Sequence, residues 1–508
     1  MSAAERVEHD TDLGRLVGRK TGRVARYAGI PYALAPVGER RFRAPVPAGG
    51  WTGVRDATEP AAALPQSTSG PELVPGMAPD RIDDDSLTLT IWAPGGGTEL
   101  RPVLVWIHGG SFMVGASSLP TYDATRLAAD GDVVVVAMNY RLGALGFMSV
   151  GETANLGLLD QVCALQWVRD HIGAFGGDPR NVTVFGESAG GGSILHLLAS
   201  PPARGLFDRA IVQSGSTGRT LSADQAAAIG EIVLAELGCT PGDVDSLARL
   251  TSAEIVAAQE RATPKLFAIA GLLPFHPALD DTTLPSTPLD ALRAGAARDI
   301  DLVLGVTTDE MRLFLDGPTI EPGRLHKRAS RYFGLDDGAT ADLFDAYAAL
   351  LRDTGEPSEP IDVWAALYTD KEMLVPTIAA LDAHAATGGR TFGYRFDWPA
   401  RPRADGLERR ACHGVDIPFT FGTFDVGGWD AFVGADTDPR GAHALSAALR
   451  GAWCAFARAG DPAQEGIGPW TRYERANRPL MRLGRVCGIE ADPVAARLTA
   501  LAAAGVTP

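Results

Sequence analysis

From about residue 100 onward, apolar and polar positions follow two alternating periodicities. Short runs rich in apolar and β-branched residues predict strands that are buried on both faces. These runs are Val103–Ile107, Asp132–Asn139, Val182–Phe185, Ala210–Gln213, Leu302–Val306 and Thr391–Phe396. Apolar residues at helical spacing predict helices at Leu158–Phe175, Ala226–Leu237 and Ala444–Arg458. Because strands and helices alternate, the pattern predicts an α/β fold with a mostly parallel central sheet flanked by helices.

Two other parts of the chain depart from this alternation. Residues 1–100 consist of short segments interrupted by Gly and Pro, such as Gly29–Tyr32, and predict an antiparallel β extension at the sheet edge. The stretches 312–364 and 422–440 are less regular, and we expect partly helical insertions within 312–440 to form a cap or gorge over a site. No internal repeat or long linker divides the chain, which favours a single domain over residues 1–508.

Composition and charge narrow the possible partners. The chain has 508 residues, of which 45% are hydrophobic, and 46 basic against 62 acidic residues give a net charge of −16. This charge disfavours binding to nucleic acid or to anionic lipid. No apolar run is long enough to cross a bilayer, and the first residues, which include acidic side chains and no apolar core, do not predict a signal peptide. Five scattered cysteines without a Cys-x-x-Cys pair indicate neither a zinc site nor a disulfide framework. We therefore expect a cytoplasmic protein.

The strongest chemical signal is Gly186–Gly190, with the sequence Gly-Glu-Ser-Ala-Gly. It follows the predicted strand Val182–Phe185 and precedes a helical stretch, Gly191–Ala199. Gly-x-Ser-x-Gly between a strand and a helix is typical of a nucleophile elbow, in which a tight turn exposes the serine. The helix N-terminus there favours developing negative charge. A chance Gly-rich turn is the alternative, but the strand–turn–helix context favours Ser188 as a nucleophile.

A second signal, Trp106–Phe112, lies at the end of the predicted strand Val103–Ile107 and reads Trp-Ile-His-Gly-Gly-Ser-Phe. Its glycines allow the backbone to turn so that several N–H groups face one point, as an oxyanion hole requires. Together with the N–H that follows the nucleophile, the candidate donors are Gly110, Ser111 and Ala189. His108 could be a base or a metal ligand, but no second ligand lies at a suitable spacing, so we expect a structural role.

Several motifs in a fixed order resemble the type-B carboxylesterase/lipase family of α/β-hydrolases, which includes bacterial p-nitrobenzyl-type esterases and the cholinesterases. The motifs are Gly29–Ala33, Trp51–Ala57, Asn139–Gly143, Asn155–Gln161, Phe175–Gly186 and Gln213–Gly215. The resemblance extends over nearly the whole chain. It implies an α/β-hydrolase fold, ester hydrolysis through an acyl-enzyme, and no need for a metal or an organic cofactor.

The acid of a catalytic triad is expected between the nucleophile and the histidine, because this is the chain order in α/β-hydrolases. Asp309 and Glu310 both follow the predicted strand Leu302–Val306. Their spacing alone does not choose between them. The resemblance assigns the role to Glu310.

The resemblance also assigns the histidine, since His413–Gly422 is similar to the histidine loop of the family. Five other histidines follow Ser188, and we expect them to be structural or exposed: His196, His276, His326, His384 and His443. Ser214 and Glu187 are expected to support the triad, although ordinary turn positions explain them about as well. The family often has Glu three residues after the histidine, where this chain has Asp416.

These residues predict a serine carboxylesterase that hydrolyses neutral esters with short to medium acyl chains and alkyl or aryl alcohols. A carbamate or amide hydrolase could use the same groups. Some relatives of this fold lost the serine and became interaction proteins, but Ser188, Glu310 and His413 are all present here. The expected partner is therefore a small ester. The sequence does not distinguish a monomer from a homodimer.

Overall fold

The computed structural model describes residues 5–69, 72–96, 99–151, 153–240, 244–271, 273–318 and 320–506. Within these residues, one sheet of thirteen strands runs through the molecule. The strands are β1 (Glu5–Thr11), β2 (Gly14–Thr21), β3 (Val24–Pro31), β4 (Val54–Asp56), β5 (Thr88–Pro94), β6 (Arg101–Ile107), β7 (Val134–Met138), β8 (Gly177–Glu187), β9 (Arg209–Gln213), β10 (Asp301–Thr307), β11 (Thr391–Phe396), β12 (Leu480–Leu483) and β13 (Gly488–Glu490).

The central sheet is parallel, as the sequence predicts. Its spatial order is β7-β6-β8-β9-β10-β11-β12, and each neighbouring pair in this order is parallel. All six predicted strands are confirmed, with small shifts at their ends. The largest shift is in β8, which begins five residues before the predicted start. Parallel order brings the carboxyl ends of these strands to one edge of the sheet, where α/β proteins place their sites.

Both margins of the sheet consist mainly of antiparallel pairs, apart from the short strand β4, which lies parallel to β2. At one margin β1, β2, β3 and β5 pair antiparallel in that order, and β5 joins the parallel part through β7. At the other margin β12 and β13 form an antiparallel pair. The predicted antiparallel extension in the first hundred residues is therefore confirmed.

Helices cover both faces of the sheet. They are α1 (Thr125–Gly131), α2 (Gly143–Phe147), α3 (Leu156–His171), α4 (Ala189–Ala199), α5 (Ala223–Leu237), α6 (Val244–Leu247), α7 (Ser252–Ala270), α8 (Pro288–Arg293), α9 (Pro322–Phe333), α10 (Asp337–Asp353), α11 (Pro360–Thr369), α12 (Val375–Ala386), α13 (Ile417–Phe421), α14 (Trp429–Phe432), α15 (Pro439–Ala459) and α16 (Ala495–Ala503). In β6, Val103 and Val105 belong to one hydrophobic core and Leu104 and Trp106 to another. This alternation explains why the central strands are apolar at every position.

Helices α9 and α10 and the first half of α11 lie in the stretch 312–364, which is therefore more regular than its sequence pattern indicates. Local signals explain these helices: Pro322 and Pro360 each occupy the first position of a helix, and Asp336 caps α10 by accepting a hydrogen bond from the N–H of Ala339. Leu343, Phe344, Tyr347 and Leu351 form the buried face of α10.

Among the helices that the structure describes, none combines the length and the apolar content needed to cross a membrane.

Candidate active site

Ser188 occupies the turn between strand β8 and helix α4. Its backbone has φ 57° and ψ −121°, a conformation that is strained for any residue with a side chain. The Ser188 N–H donates a hydrogen bond to the carbonyl of Gln213 on the neighbouring strand, at 2.9 Å. This bond ties the turn to the sheet and helps to hold the strained conformation.

The two glycines of the Gly-x-Ser-x-Gly motif are required by close packing. A β-carbon at Gly190 would lie 1.9 Å from the carbonyl oxygen of Ile107, at the end of strand β6. A β-carbon at Gly186 would lie 2.8 Å from the carbonyl carbon of Gly190. The strand and the helix therefore approach too closely for any larger residue, and this approach leaves the Ser188 side chain at the carboxyl edge of the sheet.

Ser188, His413 and Glu310 form one continuous chain of hydrogen bonds. Nε2 of His413 lies 2.7 Å from Oγ of Ser188, and Nδ1 lies 2.5 Å from Oε2 of Glu310. The three residues come from separate parts of the chain: the turn after β8, the 3₁₀ turn Glu310–Phe314 after β10, and the loop between β11 and α13. The structure thus brings together the three residues predicted from the sequence.

The Glu310 carboxylate is fully buried, and its second oxygen is fixed by two donors. Oε1 accepts a hydrogen bond from the Ser214 hydroxyl at 2.6 Å and another from the Thr307 N–H at 2.8 Å. These bonds orient the carboxylate so that Oε2 faces the histidine. The other acid, Asp309, accepts hydrogen bonds from Arg312 and Arg410 instead, each at 3.2 Å.

The predicted oxyanion donors Gly110 and Ser111 lie in a loop that passes directly against Ser188. A β-carbon at the preceding residue, Gly109, would lie 3.1 Å from Cβ of Ser188. Gly110 has φ 108° and Ser111 has φ 59°, so the backbone turns sharply here. The third candidate, Ala189, is the first residue of α4, where a helix leaves its backbone N–H without an intrahelical acceptor.

The loop that contains Gly110 and Ser111 is held from both ends by buried polar side chains. The Tyr140 hydroxyl donates a hydrogen bond to the His108 carbonyl at 2.8 Å. Gln66 bonds the Gly115 backbone twice, accepting from its N–H at 2.8 Å and donating to its carbonyl at 2.9 Å. His108 itself stacks on Tyr140, and burial lowers its pKa to about 4, which agrees with the expected structural role.

A second carboxylate, Glu187, lies beside the histidine. Its Oε1 is 3.3 Å from Nε2 of His413. Burial raises the pKa of Glu187 to about 8, because a buried carboxylate loses its hydration. Burial also opposes protonation of His413, but the carboxylates of Glu187 and Glu310 outweigh it and raise the pKa of His413 to about 9. The surroundings therefore stabilise the imidazolium form.

The sequence did not single out the contact between Asp416 and Gln213. The Gln213 side chain donates hydrogen bonds to Oδ2 of Asp416 at 2.7 Å and to Oγ1 of Thr420 at 3.0 Å. The backbone carbonyl of Gln213 also accepts a hydrogen bond from the Ser188 N–H, so one residue joins the Ser188 turn to the loop that contains His413. Burial raises the pKa of Asp416 to about 6. The position of Asp416, three residues after His413, was the only signal in the sequence for this contact with Gln213.

The other histidines lie outside this hydrogen-bond chain. His196, His276 and His384 are buried and bonded to backbone or hydroxyl groups, and burial lowers the pKa of each. His326 packs on Phe344 and is half-buried, whereas His443 is exposed. Across the described ranges, no group of three or more His, Cys, Asp or Glu side chains is arranged to hold a metal ion.

A mostly parallel sheet with a serine in a tight strand-to-helix turn at its carboxyl edge defines an α/β-hydrolase fold. The chain belongs to the carboxylesterase family, whose model matches residues 5–496. The resemblance inferred from the ordered motifs is thereby confirmed. The protein is a carboxylic-ester hydrolase by family.

Relatives of known sequence and structure agree with this assignment. A para-nitrobenzyl esterase of Bacillus subtilis (strain 168) is 37% identical over 489 residues, which cover 95% of this chain and 96% of the relative. A crystal structure of a Geobacillus stearothermophilus carboxylesterase at pH 6.2 superimposes with a TM-score of 0.84, at 36% identity, and covers 97% of this chain and 100% of the other.

The similarity also extends to a protein whose name does not describe an esterase. Neuroligin-3 of Mus musculus is 30% identical over 518 residues, which cover 89% of this chain but 61% of the relative.

Proposed function

We propose that this protein is a serine carboxylesterase in which Ser188 is the nucleophile, His413 the general base and acid, and Glu310 the acid of the triad. The observation that carries the proposal is the unbroken hydrogen-bond chain from Ser188 Oγ through His413 to Glu310, at 2.7 and 2.5 Å. Nucleophile, base and orienting acid in this geometry are the requirements for acyl transfer to a serine.

In the first half of the reaction, Nε2 of His413 takes the proton of Ser188 as Oγ attacks the ester carbonyl carbon. Glu310 holds Nδ1 of His413 and stabilises the imidazolium that forms. The N–H groups of Gly110, Ser111 and Ala189 donate to the carbonyl oxygen as it becomes negative. The His413 proton then passes to the leaving alcohol, and the acyl group remains on Ser188.

In the second half, a water molecule replaces the alcohol. His413 removes a proton from this water, which attacks the acyl carbonyl carbon and forms a second tetrahedral intermediate at the same oxyanion donors. The proton returns to Ser188 Oγ, and the carboxylic acid leaves. The chain's own residues supply every proton transfer in this scheme, so it uses no cofactor.

The expected substrates are neutral carboxylic esters with short to medium acyl chains and alkyl or aryl alcohols. The name of the para-nitrobenzyl esterase, 37% identical to this chain, supports an aryl-containing alcohol part. We extend the proposal to one domain over residues 1–508, since one sheet runs from β1 to β13, with the helices of 312–440 beside the site. A cytoplasmic location, inferred from the sequence, remains a prediction.

The direct test of the proposal compares wild-type protein with Ser188→Ala on p-nitrophenyl esters from acetate to decanoate. We expect the rate to peak at one chain length in the wild type. Loss of the nucleophile should lower kcat by roughly 10⁴–10⁶-fold, as in other triads.

Equal rates in the two proteins would remove Ser188 from the mechanism. A parallel assay with p-nitrophenyl carbamates and anilides addresses the alternative substrates. Faster turnover of a carbamate or an anilide than of the best ester, still lost in Ser188→Ala, would keep the nucleophile but change the substrate class.

A further inference from the structure

Asp309 precedes the proposed catalytic acid, and the hydrolytic mechanism leaves its carboxylate without a role. The side chain is mostly buried, and two arginines converge on the same oxygen, Oδ1. Arg312 approaches from the same 3₁₀ turn, with its Nε at 3.2 Å. Arg410 approaches from the segment that leads to His413, with its Nη1 at 3.2 Å.

The two arginines connect the acid loop, residues 309–314, with the histidine segment, residues 408–413, in opposite directions. Arg312 belongs to the acid loop, and its Nη1 donates to the carbonyl of Glu408 in the histidine segment, at 3.2 Å. Arg410 belongs to the histidine segment and donates to Asp309 in the acid loop. Each of the two segments therefore contributes one arginine that bonds to the other segment, and Asp309 accepts a hydrogen bond from both arginines. We call Asp309, Arg312 and Arg410 the loop clamp.

The backbone between these loops is paired in the same place. The N–H of Asp309 donates to the carbonyl of Ala411 at 2.9 Å, and the N–H of His413 donates to the carbonyl of Glu310 at 3.1 Å. The loop clamp thus lies next to the backbone hydrogen bond that joins Glu310, the proposed acid, directly to His413, the proposed base. A change in the clamp has a short path to the Glu310–His413 contact.

The outer ends of the clamp are anchored in the helices beside the site. Nη2 of Arg312, whose side chain is 2% exposed, donates to Asp362 of α11 at 2.5 Å. Nη1 of Arg410 also donates to Glu356, just after α10, at 2.7 Å. The clamp is therefore bonded to α11 and to the segment that follows α10.

The backbone at Arg410 is in a conformation that needs such support. Its φ is 51°, in the left-handed region that favours glycine, and its carbonyl accepts the N–H of Ala400 at 2.7 Å. A non-glycine residue remains in this region only when its surroundings hold it there. Arg410 is held by its carbonyl bond and by two carboxylates, Asp309 and Glu356.

From this geometry we infer that Arg410 is a positioning residue for the esterase reaction, acting through Asp309 to set the place of His413 relative to Glu310. The inference rests on the proposed triad. Within the described residues, the side chain of Arg410 bonds to Asp309 and Glu356 and not to Ser188, Glu310 or His413. Its contribution is to keep the imidazole within hydrogen-bond distance of both Ser188 and Glu310, because small misplacements of reacting groups greatly reduce rates.

The test compares Arg410→Ala and Arg410→Lys with the control Arg401→Ala on the best p-nitrophenyl ester. Arg401 lies on the same segment and its side chain pairs with Asp436 at the surface, at 2.9 Å, away from the clamp. We expect Arg410→Ala to lower kcat by about 10–100-fold, the range for residues that orient catalytic groups, with KM within about twofold. Arg410→Lys should recover part of the lost kcat, because the lysine ammonium keeps a positive charge and a hydrogen-bond donor beside Asp309.

The rate of phosphorylation of Ser188 by an organophosphate provides a second readout. It should fall in Arg410→Ala in proportion to kcat, because both steps need the aligned histidine, whereas it should be unchanged in Arg401→Ala. Melting temperatures of all variants show whether a lower rate comes from misalignment of His413 or from loss of stability. A kcat in Arg410→Ala equal to that of Arg401→Ala overturns the inference. An equal loss of kcat in Arg410→Ala and Arg410→Lys, accompanied by a fall in melting temperature, also overturns it.

The inference can fail without the proposed function, and the two failures look different. If Ser188→Ala loses activity while Arg410→Ala keeps it, the triad stands and the positioning role falls. If wild type and Ser188→Ala have equal rates, the proposed function falls, and the positioning role falls with it.

Discussion

At the scale of single residues, the two oxygens of Glu310 have different tasks. Oε1 is held by Ser214 and Thr307, and Oε2 faces Nδ1 of His413. The spacing of Asp309 and Glu310 along the chain did not choose between them, and only the resemblance to the family assigned Glu310. Both acids follow the same strand, and only the three-dimensional surroundings show that one carboxylate meets a histidine and the other meets arginines.

Residue-scale reasoning gives a prediction for Glu187. Its carboxylate stabilises the protonated form of His413 and raises the pKa of that histidine. The reaction needs the neutral imidazole, so kcat/KM should rise as pH rises through the pKa of His413. Glu187→Gln removes one of the stabilising charges. We expect the midpoint of this acid limb to move to lower pH.

The measurement is kcat/KM for a neutral p-nitrophenyl ester over a range of about pH 5 to 10. Glu465→Gln is the matched control, since Glu465 is an exposed acid in the loop that follows α15. An unchanged midpoint in Glu187→Gln, or one at higher pH, contradicts the electrostatic account of His413.

At the scale of elements, strands could be predicted from the sequence better than the helices around the site. The six buried central strands are continuous apolar runs, and such runs leave few alternatives. The sequence predicts partly helical insertions here but not the bounds of α9 and α10, because each helix has a long polar face and only its cap residues and one apolar face mark it. The position of these helices beside the site depends on tertiary packing, which no local pattern contains.

The contact between strand β6 and helix α4 gives an element-scale prediction. In Gly190→Ala the new methyl group would meet the carbonyl oxygen of Ile107, so strand and helix must separate. Overpacking of this kind costs about 1–3 kcal/mol in the free energy of unfolding. We expect this loss together with a marked fall in kcat, because the same shift moves Ser188.

Chemical denaturation and ester hydrolysis measure the two effects. Gly173→Ala is the control, because a β-carbon at Gly173 has open space around it and should change neither quantity much. Wild-type stability and activity in Gly190→Ala would contradict the close packing of strand β6 against helix α4.

At the scale of the whole molecule, the fold collects groups that are far apart in sequence. Positions 188, 310 and 413 meet because β8, β10 and β11 run parallel and end at one edge. The order nucleophile, acid and histidine predicted this meeting, whereas the distances and the loop clamp could not be predicted. The clamp joins residues whose contact depends on how two loops and two helices pack.

The net charge of −16 gives a prediction that belongs to the whole molecule. An anionic ester, such as a p-nitrophenyl hemisuccinate, should be repelled during its approach, and a neutral p-nitrophenyl butyrate should not. Salt screens this repulsion, since the Debye length falls from about 30 Å at 0.01 M to about 8 Å at 0.15 M. We expect kcat/KM for the anionic ester to rise with salt while that for the neutral ester stays nearly constant.

Steady-state rates of both esters over this salt range test the prediction. The neutral ester serves as the control for any effect of salt on the enzyme itself. If both esters respond to salt in the same way, long-range charge does not influence access to the site.

The most direct measurement of the central claim is covalent labelling with diethyl p-nitrophenyl phosphate, followed by peptide mass spectrometry. The account predicts one diethylphosphoryl group per chain, attached to the peptide that contains Ser188, with release of one p-nitrophenol. Ser188→Ala should remain unlabelled, and His413→Ala should be labelled far more slowly because no base removes the serine proton. Labelling of another residue, or none in the wild type, would contradict the proposal that Ser188 is the activated nucleophile.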